Sequence, residues 1–376
     1  MIERTVRHLY VHLPFCAHRC GYCDFVTISG RARDHRPYIH ALLREFELER
    51  HVLAPELETV FLGGGTPTFT EPSELGRLLH ALPPAAEVTV EANPETVTPE
   101  LALLLRRGGV TRVSLGAQSF QPKLLEVLER RAGPDAVRRA FYHLRDASFD
   151  NISLDLLYGI PGQSASDLDR DLSEVLALEP EHLSCYELEA KPGTRFTYAH
   201  GAELTHQAEA METYFERVVE TLTAAGYRWY ETANFCLGPH RAAGRDLRAR
   251  HNLGYWLGRD YLGIGLGAVS TIEGVRRRNT PRLAVYVTAL EGGSPPAREV
   301  ETLDREVRSR ERLMLRLRLD EPLLLEPVES AVDHEALGRL VGLGLVRREG
   351  RGGRTALTLT PRGRLLGGGV TAELLA

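Results

Sequence analysis

Three cysteines crowd into eight residues near the start of the chain, in Cys16-Ala-His-Arg-Cys20-Gly-Tyr-Cys23. The spacing is C-x3-C-x2-C, which lets one loop wrap a compact inorganic centre. Three thiolates bind three irons of a [4Fe–4S] cube and leave the fourth iron open to a substrate or cofactor. His18 and Arg19, beside the thiols, are expected to lower the thiol pKa values. Zinc is the main competing reading. A structural zinc site wants four ligands, commonly two C-x2-C pairs, and here Cys185 and Cys236 stand alone. Inert buried thiols are the third reading.

Chemistry of this kind needs a scaffold. At roughly 150 residues per domain, the 376 residues suggest two or three domains. Apolar residues make up 43% and charged residues 26%, which excludes fibrous and mostly disordered chains. The net charge of -5 does not support general nucleic-acid binding, which draws on a basic surplus. No run of about 18 apolar residues predicts a membrane-spanning helix. Met1–Tyr10 lacks the apolar run of a signal peptide. Five cysteines, an odd number with three clustered, speak for metal binding or catalysis rather than a disulfide framework. A cytoplasmic location is expected.

The first 190 residues alternate short apolar runs with amphipathic stretches. Strands are predicted at 8–13, 59–62, 87–91, 112–115, 151–156 and 182–188. Helices are predicted at 38–51, 72–82, 99–107, 123–129, 135–146 and 166–178. Six strands separated by helices imply parallel βαβ units, in a barrel or an open sheet, with chemistry at the strand C-termini. Beyond them, 191–193 reads as a linker, 206–225 as a long helix and 228–233 as a strand. The tail reads as helices over 300–319 and 333–341, followed by strands over 344–348 and 355–360. That is a winged-helix-like appendix with a basic tip at 347–354. Three domains are expected: 1–190, 191–298 and 299–376.

Several motifs follow the strands: Tyr10-Val-His-Leu-Pro-Phe-Cys16, Gly63-Gly-Gly-Thr-Pro-Thr68, Glu91-Ala-Asn-Pro94, Ser114-Leu-Gly-Ala-Gln-Ser-Phe120, Asp155-Leu-Leu-Tyr-Gly-Ile-Pro161, Pro192-Gly-Thr194 and His251-Asn-Leu-Gly-Tyr-Trp256. In this order they resemble the radical S-adenosylmethionine (SAM) superfamily. Within it the chain is similar to the group that holds the oxygen-independent coproporphyrinogen III oxidases and the HemW-type haem chaperones. The likeness spans about residues 8 to 270. It implies an α/β fold: a partial six-stranded (β/α) barrel carrying a [4Fe–4S] cluster on Cys16, Cys20 and Cys23, with SAM on the open iron. By the same resemblance Tyr10, Tyr22, Gly64, Gly65, Thr66, Glu91, Gln118, Arg130 and Asp155 are the SAM-contacting positions, with Arg131 an alternative to Arg130. In the superfamily one electron from the reduced cluster cleaves SAM. The cofactors carry that chemistry, and the protein orients them in a dry pocket.

Within the group, the oxidases carry a fourth cysteine two residues after the third and an extension before the cluster. Here that position is Phe25, and fifteen residues precede Cys16. The His251–Trp256 segment resembles an element typical of the chaperone branch. The resemblance therefore implies a cytoplasmic protein that binds haem and delivers it to haem-requiring recipients. A flavodoxin- or ferredoxin-type electron donor, no nucleic acid and no membrane span are expected. A haem site needs an axial ligand and a flat apolar wall. His251 is the candidate ligand, with Tyr255 and Trp256 stacking on the macrocycle; another histidine or Cys236 stays open as ligand. Porphyrinogen oxidation is the second reading, and a zinc-stapled nucleic-acid-binding protein the third. Two positions depart from the relatives: Val269 replaces a histidine and Lys191 an acidic residue.

Overall fold

The structure, a computed structural model, describes residues 6–376 apart from 190 and 192, and leaves out the side chains of 205–209 and 351. The expected linker at 191–193 therefore lies partly outside the described residues. All six expected barrel strands are present: β1 His8–Leu13, β2 Leu57–Gly64, β3 Ala85–Ala92, β4 Arg112–Gln118, β5 Ile152–Tyr158 and β6 His182–Glu187. They lie side by side in chain order and run parallel. A parallel sheet that never reverses its order curls into a barrel instead of splitting into two halves. The helices between the strands are α1 His35–Glu49, α2 Pro72–Ala81, α3 Pro99–Arg107, α4 Pro122–Val127, α5 Pro134–Asp146 and α6 Ala165–Ala177.

Alternation along the strands decides what faces the helices and what faces inward. Leu9, Val11 and Leu13 of β1 and Val113, Leu115 and Ala117 of β4 pack into the main apolar core under the helices. The intervening positions turn into the barrel, and most of them are polar, with Gly116, Phe61 and Leu157 among the exceptions. Those of β4 are Arg112, Ser114, Gly116 and Gln118; Glu87, Thr89 and Glu91 come from β3. A structural barrel fills this space with branched aliphatic side chains. A polar interior costs stability unless its groups are paired. Many are: Ser153 Oγ lies 2.8 Å from His182 Nδ1, and His182 Nε2 lies 2.8 Å from the Tyr230 hydroxyl.

Downstream, the helix expected from 206 begins earlier. It is α7 Arg195–Ala224, started by the Thr194 side chain, which accepts from the Thr197 N–H at 3.2 Å. The strand expected at 228–233 is instead a hairpin of β7 Tyr227–Trp229 and β8 Asn234–Leu237, with β8 antiparallel to β6. A short helix follows, α8 Arg250–Trp256, then β9 Leu262–Ile264, which pairs parallel with β1. The sheet order is β9-β1-β2-β3-β4-β5-β6-β8-β7, so its two edges do not close on each other and the barrel is partial.

A three-stranded antiparallel sheet comes next: β10 Val269–Ile272, β11 Val275–Asn279 and β12 Arg298–Thr302. Between β11 and β12 lies α9 Leu283–Glu291. The helix expected from 300 is therefore a correction. Residues 300–302 are strand, and α10 Arg305–Arg316 starts only where Asp304 caps it by accepting from the Val307 N–H at 2.8 Å. The boundary expected after 298 falls inside β12. The tail adds β13 Leu323–Leu324, α11 His334–Gly342, β14 Val346–Arg351, β15 Arg354–Leu359, α12 Pro361–Leu365 and α13 Gly367–Leu374. Its own apolar core includes Leu313, Val328, Leu337 and Leu357. No helix of the described residues is long and apolar enough to cross a membrane.

One buried carboxylate ties these parts together. Glu45 of α1 accepts from the Gly265 N–H at 2.7 Å, from Asn279 Nδ2 at 2.7 Å and from the Tyr286 hydroxyl at 2.5 Å, and pairs with Arg298 at 3.2 Å.

Candidate functional site

The cysteine loop leaves β1 and is pinned at both ends. Phe15–Cys16 pairs parallel with Ile28–Ser29, and the Gly30 N–H bonds the Cys16 carbonyl at 3.0 Å. Inside the loop, His12 Nε2 lies 2.8 Å from the Val26 carbonyl. Cys16, Cys20 and Cys23 all line one wall of a cavity of about 450 Å³ at the C-terminal ends of the strands. A larger groove of about 820 Å³ near α2 and α3 is lined mostly by leucine, proline and glycine and holds none of the expected chemistry.

Polar groups hold the thiols in place. The Thr66 hydroxyl donates to Cys16 Sγ at 3.5 Å. Arg130 Nη1 approaches Cys20 Sγ at 3.8 Å, while Nη2 donates to Asn93 Oδ1 and to the Gly116 carbonyl, both at 2.9 Å. Asn93 in turn donates to Thr66 Oγ1 at 2.9 Å. Arg130 faces the cavity and Arg131 is exposed. The expected lowering of the thiol pKa values is not found at Cys16 or Cys23. Burial pushes the Cys16 thiol up to about 11, opposed by the Thr66 hydrogen bond, and burial also raises Cys23. Without metal these groups are protonated thiols, so the thiolates must form as metal binds.

The donor set fits a cube with one open corner: three soft sulfur ligands on one loop, with polar side chains around them. Among the described residues no three His, Cys, Asp or Glu side chains converge as the ligands of a single ion would. Opposite the loop, Gly64 and Gly65 form a cradle. Gly64 has φ +110, and a Cβ on Gly65 would lie 2.6 Å from the Pro14 backbone. A Cβ on Gly64 would strike the His12 ring, and one on Gly65 would push the β2 turn off the chain leading into the cluster loop.

Two carboxylates sit deeper. Glu91 accepts from the Gly64 N–H at 3.0 Å; burial raises its pKa to about 7, the Gly64 N–H opposes this, Asp155 adds to it and Arg112 opposes it. Asp155 accepts from the Ser114 hydroxyl at 3.2 Å, and its pKa is raised by burial against bonds from Ser184, Ser114 and Ser153 and the charge of Arg112. Gln118 lines the same cavity from a left-handed backbone conformation, φ 66, at a register shift between β4 and β5. Such a conformation is costly outside glycine and clusters at functional sites.

Tyr22, Gly64, Gly65, Thr66, Glu91, Gln118, Arg130 and Asp155 are thus gathered around one space with the three cysteines. Tyr10 is not among them. It stands behind Phe61, ring on ring at 6.1 Å, with its hydroxyl 3.0 Å from His12 Nδ1.

The expected haem ligand lies behind the cavity wall, in a different environment from the cysteines. His251 is 1% exposed; its Nδ1 lies 2.7 Å from Thr59 Oγ1 and its Nε2 lies 2.9 Å from the Tyr255 hydroxyl. Its ring stacks on Phe61 at 5.0 Å. Both ring nitrogens are committed, and neither is open to iron in this arrangement. Tyr255 packs edge-on against His251 and Tyr261, and Trp256 lies under the Arg318 guanidinium, so the pair forms no flat open wall. The segment plugs the barrel: the Arg250 and His251 N–H groups donate to Glu87 at 3.0 and 3.3 Å. Of residues 251–256 only Asn252 lines the cavity.

Sequence reasoning missed Asn93, Arg112 and Asn252 as cavity residues. Asn93 stood inside a quoted motif. Arg112 shares the inward alternation of Ser114, Gly116 and Gln118, a signal that was available.

Comparison with known proteins settles the family. The model of the radical SAM superfamily matches residues 10–175. The haem chaperone HemW of Mycobacterium tuberculosis is 36% identical over 381 aligned residues, covering 98% of this chain and 94% of that protein. The chain belongs to the HemW family. HemW of Bacillus subtilis is 31% identical over 98% of this chain and 99% of its own length. HemW of Escherichia coli is 35% identical over 71% of each. Coproporphyrinogen III oxidase (HemN) from Escherichia coli, a radical SAM enzyme, superposes with a TM-score of 0.82 over 98% of this chain and 90% of its own, at 24% identity. That likeness speaks for the fold of this HemW-family chain.

Proposed function

We propose that this protein binds haem and passes it to haem-requiring apoproteins, and that it carries a SAM-ligated [4Fe–4S] cluster. The observation that carries the reading is the match to HemW proteins along nearly the whole chain. The site agrees with it. Three thiols are present, and the position of the oxidases' fourth cysteine is Phe25, which is 64% exposed at the cavity mouth.

Cys16, Cys20 and Cys23 would hold the cluster, which supplies one-electron chemistry and an open iron when bound. The chain's own residues orient the second ligand. Gly64 and Gly65 let backbone approach it; Thr66, Asn93 and Arg130 form a connected polar rim; Glu91, Gln118 and Asp155 offer acceptors and donors to its polar groups. Tyr22 shields the thiols, packed against Phe196. A flavodoxin- or ferredoxin-type electron donor and a cytoplasmic setting belong to the same reading.

The test is anaerobic reconstitution, followed by titration with haem and, separately, with coproporphyrinogen III. Haem uptake at one per chain, transfer to an apo-haem protein and no protoporphyrinogen formation support the proposal. Porphyrinogen turnover with SAM consumption would establish the oxidase reading instead.

A further inference from the structure

Two aromatic rings stand at the mouth of the cavity without a ring beside them. Phe25, in the loop after β1, is the one exposed phenylalanine among the described residues. Tyr186, at the end of β6, is 40% exposed. The deeper rings of the same cavity are paired, Tyr22 with Phe196 and Phe61 with His251. A single exposed apolar side chain is ordinary; two that frame one opening are not. Alternation sets Tyr186 above Ser184 on the inward face of β6. Strands β1 and β6 lie toward opposite edges of the sheet, so the two rings reach the opening from opposite sides. Arg19 is exposed at the same rim. Its Nη2 donates to the Cys23 carbonyl at 3.0 Å, and no carboxylate pairs with it among the described residues. Lys191, by contrast, is paired with Glu189, and Asp24 and Glu187 complete the charged rim.

We propose that this mouth is where haem docks, its macrocycle seated between Phe25 and Tyr186 and one propionate on Arg19. The inference rests on the reading that the chain binds haem, and it names the place. A ligand matched to this rim is flat, apolar on both faces and acidic along one edge, which is the form of a porphyrin dicarboxylate. Aromatic side chains hold such a face by stacking and by the water they exclude. The other clefts lack the means: neither the groove at α2 and α3 nor the cleft around Arg347 and Arg348 in the tail is lined by a phenylalanine, tyrosine or tryptophan. The inner part of the cavity, with the thiols, Glu91 and Asp155, is left to the cluster and SAM. Where an oxidase has its fourth cysteine, this chain thus sets a ring against the macrocycle.

The experiment titrates cluster-loaded, SAM-bound protein with haem and with haem dimethyl ester, followed by Soret absorbance, for wild type, Phe25→Ala, Phe25→Trp and Arg19→Gln. Phe25→Ala is expected to bind haem about tenfold more weakly, the lower end of what burying a phenylalanine gives. Phe25→Trp, which keeps a flat ring, should stay near wild type. Iron content and SAM affinity should not change in Phe25→Ala. Arg19→Gln should weaken haem about threefold, the scale of an exposed ion pair, and leave the diester unaffected. Wild-type haem affinity in Phe25→Ala overturns the proposal, also when transfer to an apo-haem protein slows, since the ring then anchors the recipient. Iron lost together with haem overturns it too, by placing Phe25 in support of the cluster. An Arg19→Gln deficit that persists with the diester removes the propionate contact. Should wild type bind no haem, the haem reading itself falls; binding that ignores Phe25 sinks only the location.

Discussion

His251 and Tyr255 are bonded to each other across one helical turn, Nε2 to hydroxyl at 2.9 Å, deep inside the barrel. Burial, followed by the charge of His8, lowers the His251 pKa to about 3, so the ring is neutral at ordinary pH. One nitrogen then donates and the other accepts, and both partners are satisfied. Through Phe61 the ring backs the cavity wall. The segment that sequence similarity ties to the chaperone branch is here a plug.

His251→Ala is therefore expected to act through packing. It removes two buried contacts and a stacked ring, which should cost about 2–4 kcal/mol in thermal or urea unfolding. The haem-loaded variant should keep its axial-ligand spectrum. Loss of that spectrum with unchanged unfolding would show that the ring leaves the plug to bind iron.

Asn93→Ala separates cofactor binding from cluster binding. Asn93 joins Thr66 to Arg130 and touches no cysteine among its hydrogen bonds. Its loss frees both partners, so SAM affinity should fall about tenfold, the worth of a hydrogen bond to a charged group. Iron content should stay at the wild-type level. A variant that loses iron instead would place Asn93 in support of the cluster.

Glu91→Gln should trade function for stability in a pH-dependent way. The Glu91 carboxyl has an ordinary pKa of 4.5 and is raised to about 7 in the folded chain, chiefly by burial. The folded state holds this proton more tightly. Its contribution to stability is complete below pH 4.5 and is lost as pH rises through about 7. The glutamine variant escapes that loss. In the metal-free protein it should be more stable than wild type by up to about 3 kcal/mol at pH 8, and equal to it near pH 4. Chemical denaturation at the two pH values measures the difference. A variant less stable at pH 8 would contradict the assignment.

Glu45→Ala should be among the most damaging changes outside the cavity. The substitution removes the acceptor shared by Arg298, Asn279, the Tyr286 hydroxyl and the Gly265 N–H, although Arg298 keeps Glu49 and Asn279, and Asn279 keeps the Gly265 carbonyl. Breaking a buried pair of this kind costs about 3–5 kcal/mol, read as a fall in the denaturation midpoint. Near-wild-type stability would mean that these donors find water instead.

The barrel was legible in the sequence because its strands carry strict alternation and its glycines and carboxylates follow the strand ends. What was missed depends on contacts far along the chain. The stretch 228–233 reads as one strand, yet Glu231 accepts from the Ala233 N–H at 2.9 Å and from Asn234 Nδ2 at 2.6 Å and turns the chain back. Helix α8 has seven residues, an internal Gly254 and no side-chain cap, so nothing local announces it; the Glu87 carboxylate holds its start from β3. The cysteines and most of the expected SAM residues do meet at one cavity. Tyr10 and His251 do not, since inward alternation places a side chain inside the barrel without saying whether it reaches the open space or packs behind another ring.

The central claim is that the three-thiol loop holds a cube whose free corner takes SAM. Iron and sulfide analysis of anaerobically reconstituted protein, with electron paramagnetic resonance of the reduced sample before and after SAM addition, tests it most directly. The account predicts four iron and four sulfide per chain and a spectrum that changes when SAM is added. A single zinc, or an iron signal indifferent to SAM, would contradict it.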